Sequence, residues 1–372
     1  MENNCQNCGF GQVRINGMEG PYSQILINNR PIFSGLAGVY GLEMIPANMI
    51  ERVEVVRGGG SALYGSNAIA GTINLILKDP INNTYEVGMN SGLLGAGVDG
   101  SGDPAKDFTL NANTSLVSSD NKTGVALYGF YRDRDPFDAN DDGFSEITHV
   151  NNVTFGGRAF HRTGNRSKIM ADFFTISDVR RGGNKFDSQE HEADIAEAVE
   201  HRIVSAAITY EQYLREKDLL TLFASGQLVD RDSYYGAEQS LKDYGFTESD
   251  AYSVGAQYTV LLDKSNIVAG LETRGENLTD TKIGYPDLEN AVIEDGEIVE
   301  IPHVADLLIA DQRSATTGIY AQYEYRLLRW QFSAGARFEH FRIDDVAENG
   351  GEKTGDVISP RATVKYDAAK NL

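Results

Sequence analysis

Residues 50–78 read Ile-Glu-Arg-Val-Glu-Val-Val-Arg-Gly-Gly-Gly-Ser-Ala-Leu-Tyr-Gly-Ser-Asn-Ala-Ile-Ala-Gly-Thr-Ile-Asn-Leu-Ile-Leu-Lys. Two β-favouring runs, 51–56 and 71–77, flank a glycine-dense turn. Gly58, Gly59 and Gly60 permit a sharp reversal there, and residues 61–64 suit one helical turn. Upstream, residues 12–16 and 23–28 read as two short strands around the turn 17–21. Pro46 and Asn48 mark the first turn of a short helix over 46–50. Residues 1–80 are therefore expected to form a compact mixed α/β unit that ends at Asp79-Pro80.

Residues 81–372 have a different texture. About twelve segments have strand character: 82–92, 106–117, 122–132, 152–163, 167–177, 199–212, 217–230, 250–261, 265–278, 314–326, 329–343 and 357–367. Side chains on a strand change face at every residue. In the eleventh segment Trp330, Phe332, Ala334, Ala336 and Phe338 thus face one way, and Gln331, Ser333, Gly335, Arg337 and Glu339 the other. Short joints (118–121, 163–166, 214–217, 262–264, 327–328) alternate with long ones (93–105, 133–151, 177–198, 231–249, 279–312, 343–356). A β-barrel that crosses a membrane has this asymmetry, with brief periplasmic turns and extended outer loops. A soluble sandwich gives no reason for it. Tyr and Phe near segment ends suit an interfacial girdle, and cross-strand packing accounts for them almost as well.

Composition agrees with many alternating strands: 39 Gly, 9 Pro, 18 Tyr, 16 Phe and one Trp. No window reaches the roughly 18 apolar residues of a membrane helix. The net charge of −21 argues against a nucleic-acid partner, which needs a clustered basic footprint.

The six histidines are scattered, none beside a Ser or Cys in a nucleophile motif, so no enzyme is expected. The glycine run 58–66 lacks the Lys of a phosphate loop. Residues 138–146 open as a calcium loop does, D-x-(D/N)-x-(D/N)-G, with His149 where the bidentate Glu would stand. Asp138, Asn140, Asp142 and Glu146 are the candidate ligands for a structural Ca2+ that would order the second outer loop; a merely solvated acidic loop is the other reading. Cys5 and Cys8, the only cysteines, form a C-x-x-C pair. In an exported protein they would close a small disulfide, with free thiols or metal and redox chemistry as alternatives.

The wording of 50–78 closely resembles the plug of TonB-dependent outer-membrane receptors: (I/V)-E-R-(V/I)-E-V-(I/V)-R-G, then G-x-x-(S/A)-x-x-Y-G, then G-x-(I/V)-N-(I/L)-I. Ser359-Pro360-Arg361-Ala362 is similar to a common strand of the same family. The resemblance implies an α/β plug, residues 1–80, inside an antiparallel transmembrane β-barrel of about 22 strands, of which residues 81–372 supply about twelve. It implies TonB-dependent uptake of a large, scarce ligand across the outer membrane of a Gram-negative bacterium. The expected partners are outer-membrane lipid, a metal chelate and the TonB energy-transducing complex. No resident cofactor is required.

A ferric siderophore is the first expectation; haem or cobalamin comes next, and calcium-ordered loops in some cobalamin receptors tie that reading to 138–146. A surface adhesin or a passive porin is the alternative of another class. By the same resemblance Met18, Glu19, Tyr22, Phe33, Ser34 and Tyr40 would sit at ligand-binding plug apices, and Arg52 and Arg57 would pair with the lumen-facing Glu272 and Glu339. The plug pattern begins partway, no signal sequence precedes it, and the chain stops soon after a strand. A fragment lacking both ends, the TonB box and about ten strands is expected.

Overall fold

The computed structural model describes residues 2–5, 10–18, 22–31, 47–58, 60–65, 68–347 and 350–368. Near the N-terminus β1 (Glu2–Cys5) pairs antiparallel with β2 (Phe10–Gln12). The plug sheet follows: β3 (Ser23–Ile27), β4 (Arg30–Pro31), β5 (Ile50–Arg57) and β6 (Gly71–Leu77), in the order β4-β3-β6-β5. β6 is central and almost wholly buried, and its two polar side chains, Thr72 and Asn74, are buried with it, Asn74 bonded to Asn29 and Glu54. A 3-10 turn, Ala47–Met49, leads into β5, and the short helix α1 (Ser61–Tyr64) follows it. The strand expected over 12–16 does not form beyond Gln12, where β2 ends. An isolated bridge joins Ile15 to Met18, Val13 and Met18 pack onto the apolar core, and β3 pairs with β6.

Twelve antiparallel strands then form one curved wall: β7 (Thr84–Leu94), β8 (Ala105–Val117), β9 (Thr123–Arg134), β10 (His149–Gly164), β11 (Ser167–Gly183), β12 (Ile195–Tyr213), β13 (Asp218–Ala237), β14 (Tyr244–Leu261) and β15 (Ser265–Lys282). The loop that follows contains four short pieces, β16 (Tyr285–Pro286), β17 (Val292–Glu294), β18 (Glu297–Glu300) and β19 (His303–Val304). β20 (Leu307–Leu327), β21 (Trp330–Asp345) and β22 (Glu352–Tyr366) complete the wall. Every strand pairs with its neighbour in sequence, apart from the loop pieces. Among the described residues no helix is long and apolar enough to cross a membrane.

The alternation sorts side chains as the sequence requires. On β14 Tyr252 and Val254 are exposed outward while Ser253 is buried; on β21 Phe332 and Phe338 face out and Arg337 faces in. Strands reach 20 and 21 residues in β13 and β20, about twice what a bilayer needs. Residues 231–237 and 244–249, expected as loop, are therefore strand that projects beyond the membrane. Outside lipid, charged residues are tolerated in a ladder whose cross-strand pairs are good, such as Arg231 Nη2 donating to Thr247 Oγ1 at 2.9 Å.

The plug lies within the concave side of the wall. Ile25, Ile73 and Leu75 of the plug and Phe174, Ile176 and Ile203 of the barrel belong to one buried apolar cluster. Folding of the two parts therefore shares a hydrophobic driving force.

Candidate ligand vestibule and plug–barrel contacts

A group of four charges, three of them buried and Arg274 half-buried, anchors the plug. Arg337, fully buried, places Nη2 3.2 Å from Glu272 Oε2 and Nε 3.0 Å from Glu339 Oε1, and Arg274 Nη2 lies 3.3 Å from the same Glu339 oxygen. Ser253 Oγ donates to the second Glu272 oxygen at 2.9 Å. Two cations and two anions cancel, which is what permits charge at this depth. Arg337 Nη1 also donates to the carbonyl of Leu63 at 3.2 Å, so the barrel grips a free carbonyl at the end of α1. Gly65 follows at φ +94°, where a Cβ would stand 2.8 Å from Glu339 Oε1. This close approach accounts for the glycine in the Leu63-Tyr64-Gly65 wording.

The expected pairing of plug arginines with Glu272 and Glu339 needs correction. Both glutamates face the lumen and are buried, but their described partners are barrel arginines. Arg52 is exposed and pairs with Glu51 and Glu54 of its own strand, and Arg57 is exposed at the end of β5. β5 is the edge of the plug sheet, and its outer face, including Val53 and Val55, is turned away from the described wall.

Three further contacts were not expected. The Arg30 guanidinium lies 3.6 Å from the centre of the Phe223 ring. Burial lowers the Arg30 pKa to about 10, and the charge of Glu272 works in the opposite sense. Asp79, at the junction of plug and barrel, is 2.8 Å from Arg158 Nε and 3.7 Å from Lys168 Nζ. Asn48 Nδ2 donates to Asn113 Oδ1 at 3.0 Å. A cavity of about 510 Å3 remains between plug and wall, lined in part by Arg30, Asp172, Glu211 and Tyr320.

Above the plug the lumen is polar. Asp178 accepts from Asn152 at 2.8 Å and pairs with Arg180 at 2.8 Å. His201 stands cross-strand between Asp178 and Arg231, and Thr247 donates to Asp280 at 2.6 Å. The signal for this set was present as polar residues at alternate positions near the outer ends of β10 to β15. Of the expected apex residues, Met18 is half-buried against the core and Tyr22 is 49% exposed. Glu19, Phe33, Ser34 and Tyr40 lie outside the described residues, as do Cys8 and the side chain of Cys5.

The second outer loop curls tightly. Asp138 Oδ2 accepts the Gly143 N–H at 2.7 Å, Asp142 Oδ1 that of Phe144 at 2.9 Å, and Glu146 Oε2 that of Ala139 at 2.6 Å. Desolvation raises the Asp138 pKa, but the backbone donors outweigh it and hold the carboxyl below its ordinary value. Carboxylate oxygens of Asp138, Asp142 and Glu146 come within 4.8 Å of one another, and the Asn140 amide donates to Asp142.

Residues 1–72 match the family description TonB-dependent Receptor Plug Domain, and residues 57–372 match TonB dependent receptor-like, beta-barrel. The vitamin B12 transporter BtuB of Vibrio vulnificus (strain CMCP6) is 26% identical over 334 residues, 87% of this chain and 47% of that protein. The probable TonB-dependent siderophore receptor PirA of Acinetobacter baumannii is 36% identical over 84 residues, 20% of this chain and 11% of that protein. Among solved structures, the siderophore receptor PiuA of Acinetobacter baumannii superposes with a TM-score of 0.69 at 12% identity, covering 98% of this chain and 59% of the other. The copper transporter OprC gives 0.71 at 14% identity, covering 98% and 56%. The chain spans about half the length of the first of these relatives. A seated plug, a strand-built wall with an apolar exterior and two family matches that together span the whole sequence lead to one assignment: the chain belongs to the TonB-dependent receptors.

Proposed function

We propose that the complete receptor takes up a bulky metal chelate, a ferric siderophore, across the outer membrane of a Gram-negative bacterium, with the TonB complex supplying the work. The observation that carries this reading is the plug, which shares an apolar core with the barrel and is held by the Arg337 cluster. A passive porin gains nothing from such a cork. The polar lumen above it offers hydrogen-bonding groups to a ligand entering from outside.

Cobalamin is the second reading, supported by the length of the match to a vitamin B12 transporter and by the acidic loop. Asp138, Asn140, Asp142 and Glu146 supply the hard oxygens that Ca2+ takes. In this proposal the ion would order the loop beneath a ligand.

Calorimetric titration of the full-length receptor with ferric siderophores, haem and cobalamin separates the readings, with growth on each as sole source as the second readout. Saturable binding of a ferric siderophore is expected. Tight cobalamin binding strengthened by Ca2+ would replace it with the second reading, and a receptor that binds none of them yet conducts freely would end both. Asp142→Ala should abolish any Ca2+-dependent protection of the loop from protease; equal protection in chelator would remove the ion from the account.

A further inference from the structure

The outer joint between β15 and β20 builds an arm. Beyond the last β15–β20 pair, Lys282 with Leu307, come Tyr285 opposite Val304 and Pro286 opposite His303, and then the hairpin of β17 and β18. Asp295 and Gly296 both take positive φ, 52° and 83°, so a tight two-residue turn closes the hairpin. The base of the arm is tied down. The Gly284 N–H donates to Asp306 Oδ1 at 2.7 Å, and Lys242 Nζ lies 3.4 Å from Glu289.

One edge of this arm is open. β21 ends at Asp345, opposite Gln312, and the Val346 N–H donates to the Asp311 carbonyl at 2.7 Å. Residues 307–310 therefore pair with β15 on one side and, among the described residues, with no strand on the other. Leu307, Leu308 and Ile309 are all exposed there, Ile309 as the extra residue of a bulge. On the hairpin Ile293 and Ile298 are directly opposed and exposed. Proteins guard such an edge with Lys or Pro, and neither occurs over 303–312.

Charge selects the occupant. Residues 283–312 carry eight carboxylates and no Lys or Arg. Glu294 stands directly opposite Glu297 across the hairpin, an unfavourable pairing that a cation between them would relieve. A second copy of so acidic an arm would be repelled. Hydrocarbon is no better, because a free backbone edge is not tolerated in it. A basic polypeptide meets both demands: its backbone continues the ladder, and its Lys or Arg side chains neutralise the carboxylates. A third strand also stabilises a two-stranded ribbon.

We propose that this arm is the docking site of a partner protein at the outer surface, which adds an extended segment of alternating basic and apolar residues to the open edge of β20. The interaction does not depend on which ligand the lumen takes.

The test uses full-length receptor in detergent, titrated with a peptide of about eight residues that alternates Lys and Val. The peptide should bind saturably, weaken with added salt and protect the amides of 307–310 from hydrogen exchange. The same peptide N-methylated at alternate amides keeps its charge but cannot add as a strand, and should bind at least about tenfold more weakly. Ile309→Lys, and separately Glu297→Gln with Glu300→Gln, should each weaken binding about tenfold in receptor whose barrel remains folded by heat-modifiable migration. Equal binding of the N-methylated peptide would reduce the contact to charge alone and overturn the proposal. So would protection of 307–310 by self-association of the receptor, or an absence of saturable binding.

Discussion

Arg337 concentrates the electrostatics of the lumen in one side chain. It neutralises Glu272 and Glu339 and reaches across to the plug backbone at Leu63. Removing one partner of a buried ion group leaves uncompensated charge, so Arg337→Leu should destabilise the full-length receptor by about 3–5 kcal/mol. Its thermal midpoint in detergent would show this, and adding Glu272→Gln and Glu339→Gln should recover part of the loss. Gly65→Ala places a methyl group against Glu339 at a positive φ. It should cost about 1–3 kcal/mol and leave the plug more open to protease. Arg52→Ala, by contrast, should leave the thermal midpoint unchanged, because Arg52 is exposed and paired only within its own strand. The sequence placed both glutamates in the lumen by alternation alone. It could not identify their arginines, because Arg274, Arg337 and Leu63 meet only when distant strands close around α1.

At the scale of single elements, the sharp turn of 138–146 follows from local residues, because its hydrogen bonds run between near neighbours. The Asp138 carboxyl is held below its ordinary value of 3.8. Its stabilisation of the loop is therefore complete above that pH and disappears as the pH falls through the lower folded value. Acid-tolerant protease should cut the loop of wild type faster as the pH is lowered through this range, and that of Asp138→Asn at a rate with little pH dependence. Strand length was less legible. The charged and polar residues 231–237 look like loop, yet the Tyr234–Tyr244 contact and the Arg231–Thr247 bond carry the ladder on into water. The alternation that reveals a strand does not show where lipid ends.

For the whole molecule, the count of twelve wall strands and the order of short and long joints could be read in advance, since both follow from period-two patterning and turn chemistry. The seating of the plug could not be read from its residues, and only the resemblance implied it. Its apolar core joins Ile25 and Leu75 to Phe174 and Ile203, separations of 99 to 178 residues of chain. Deleting residues 1–80 from the full-length receptor should convert a silent barrel into one with steady conductance in planar bilayers.

That common core also bears on leakage at rest. If withdrawing the plug uncovers even four of its large apolar side chains, at about 1.5–3 kcal/mol each, the open arrangement lies about 6–12 kcal/mol above the sealed one. At a factor of ten per about 1.4 kcal/mol, fewer than about one molecule in ten thousand would stand open by thermal motion. A cell could then carry many copies of so wide a pore without admitting detergents or antibiotics through it.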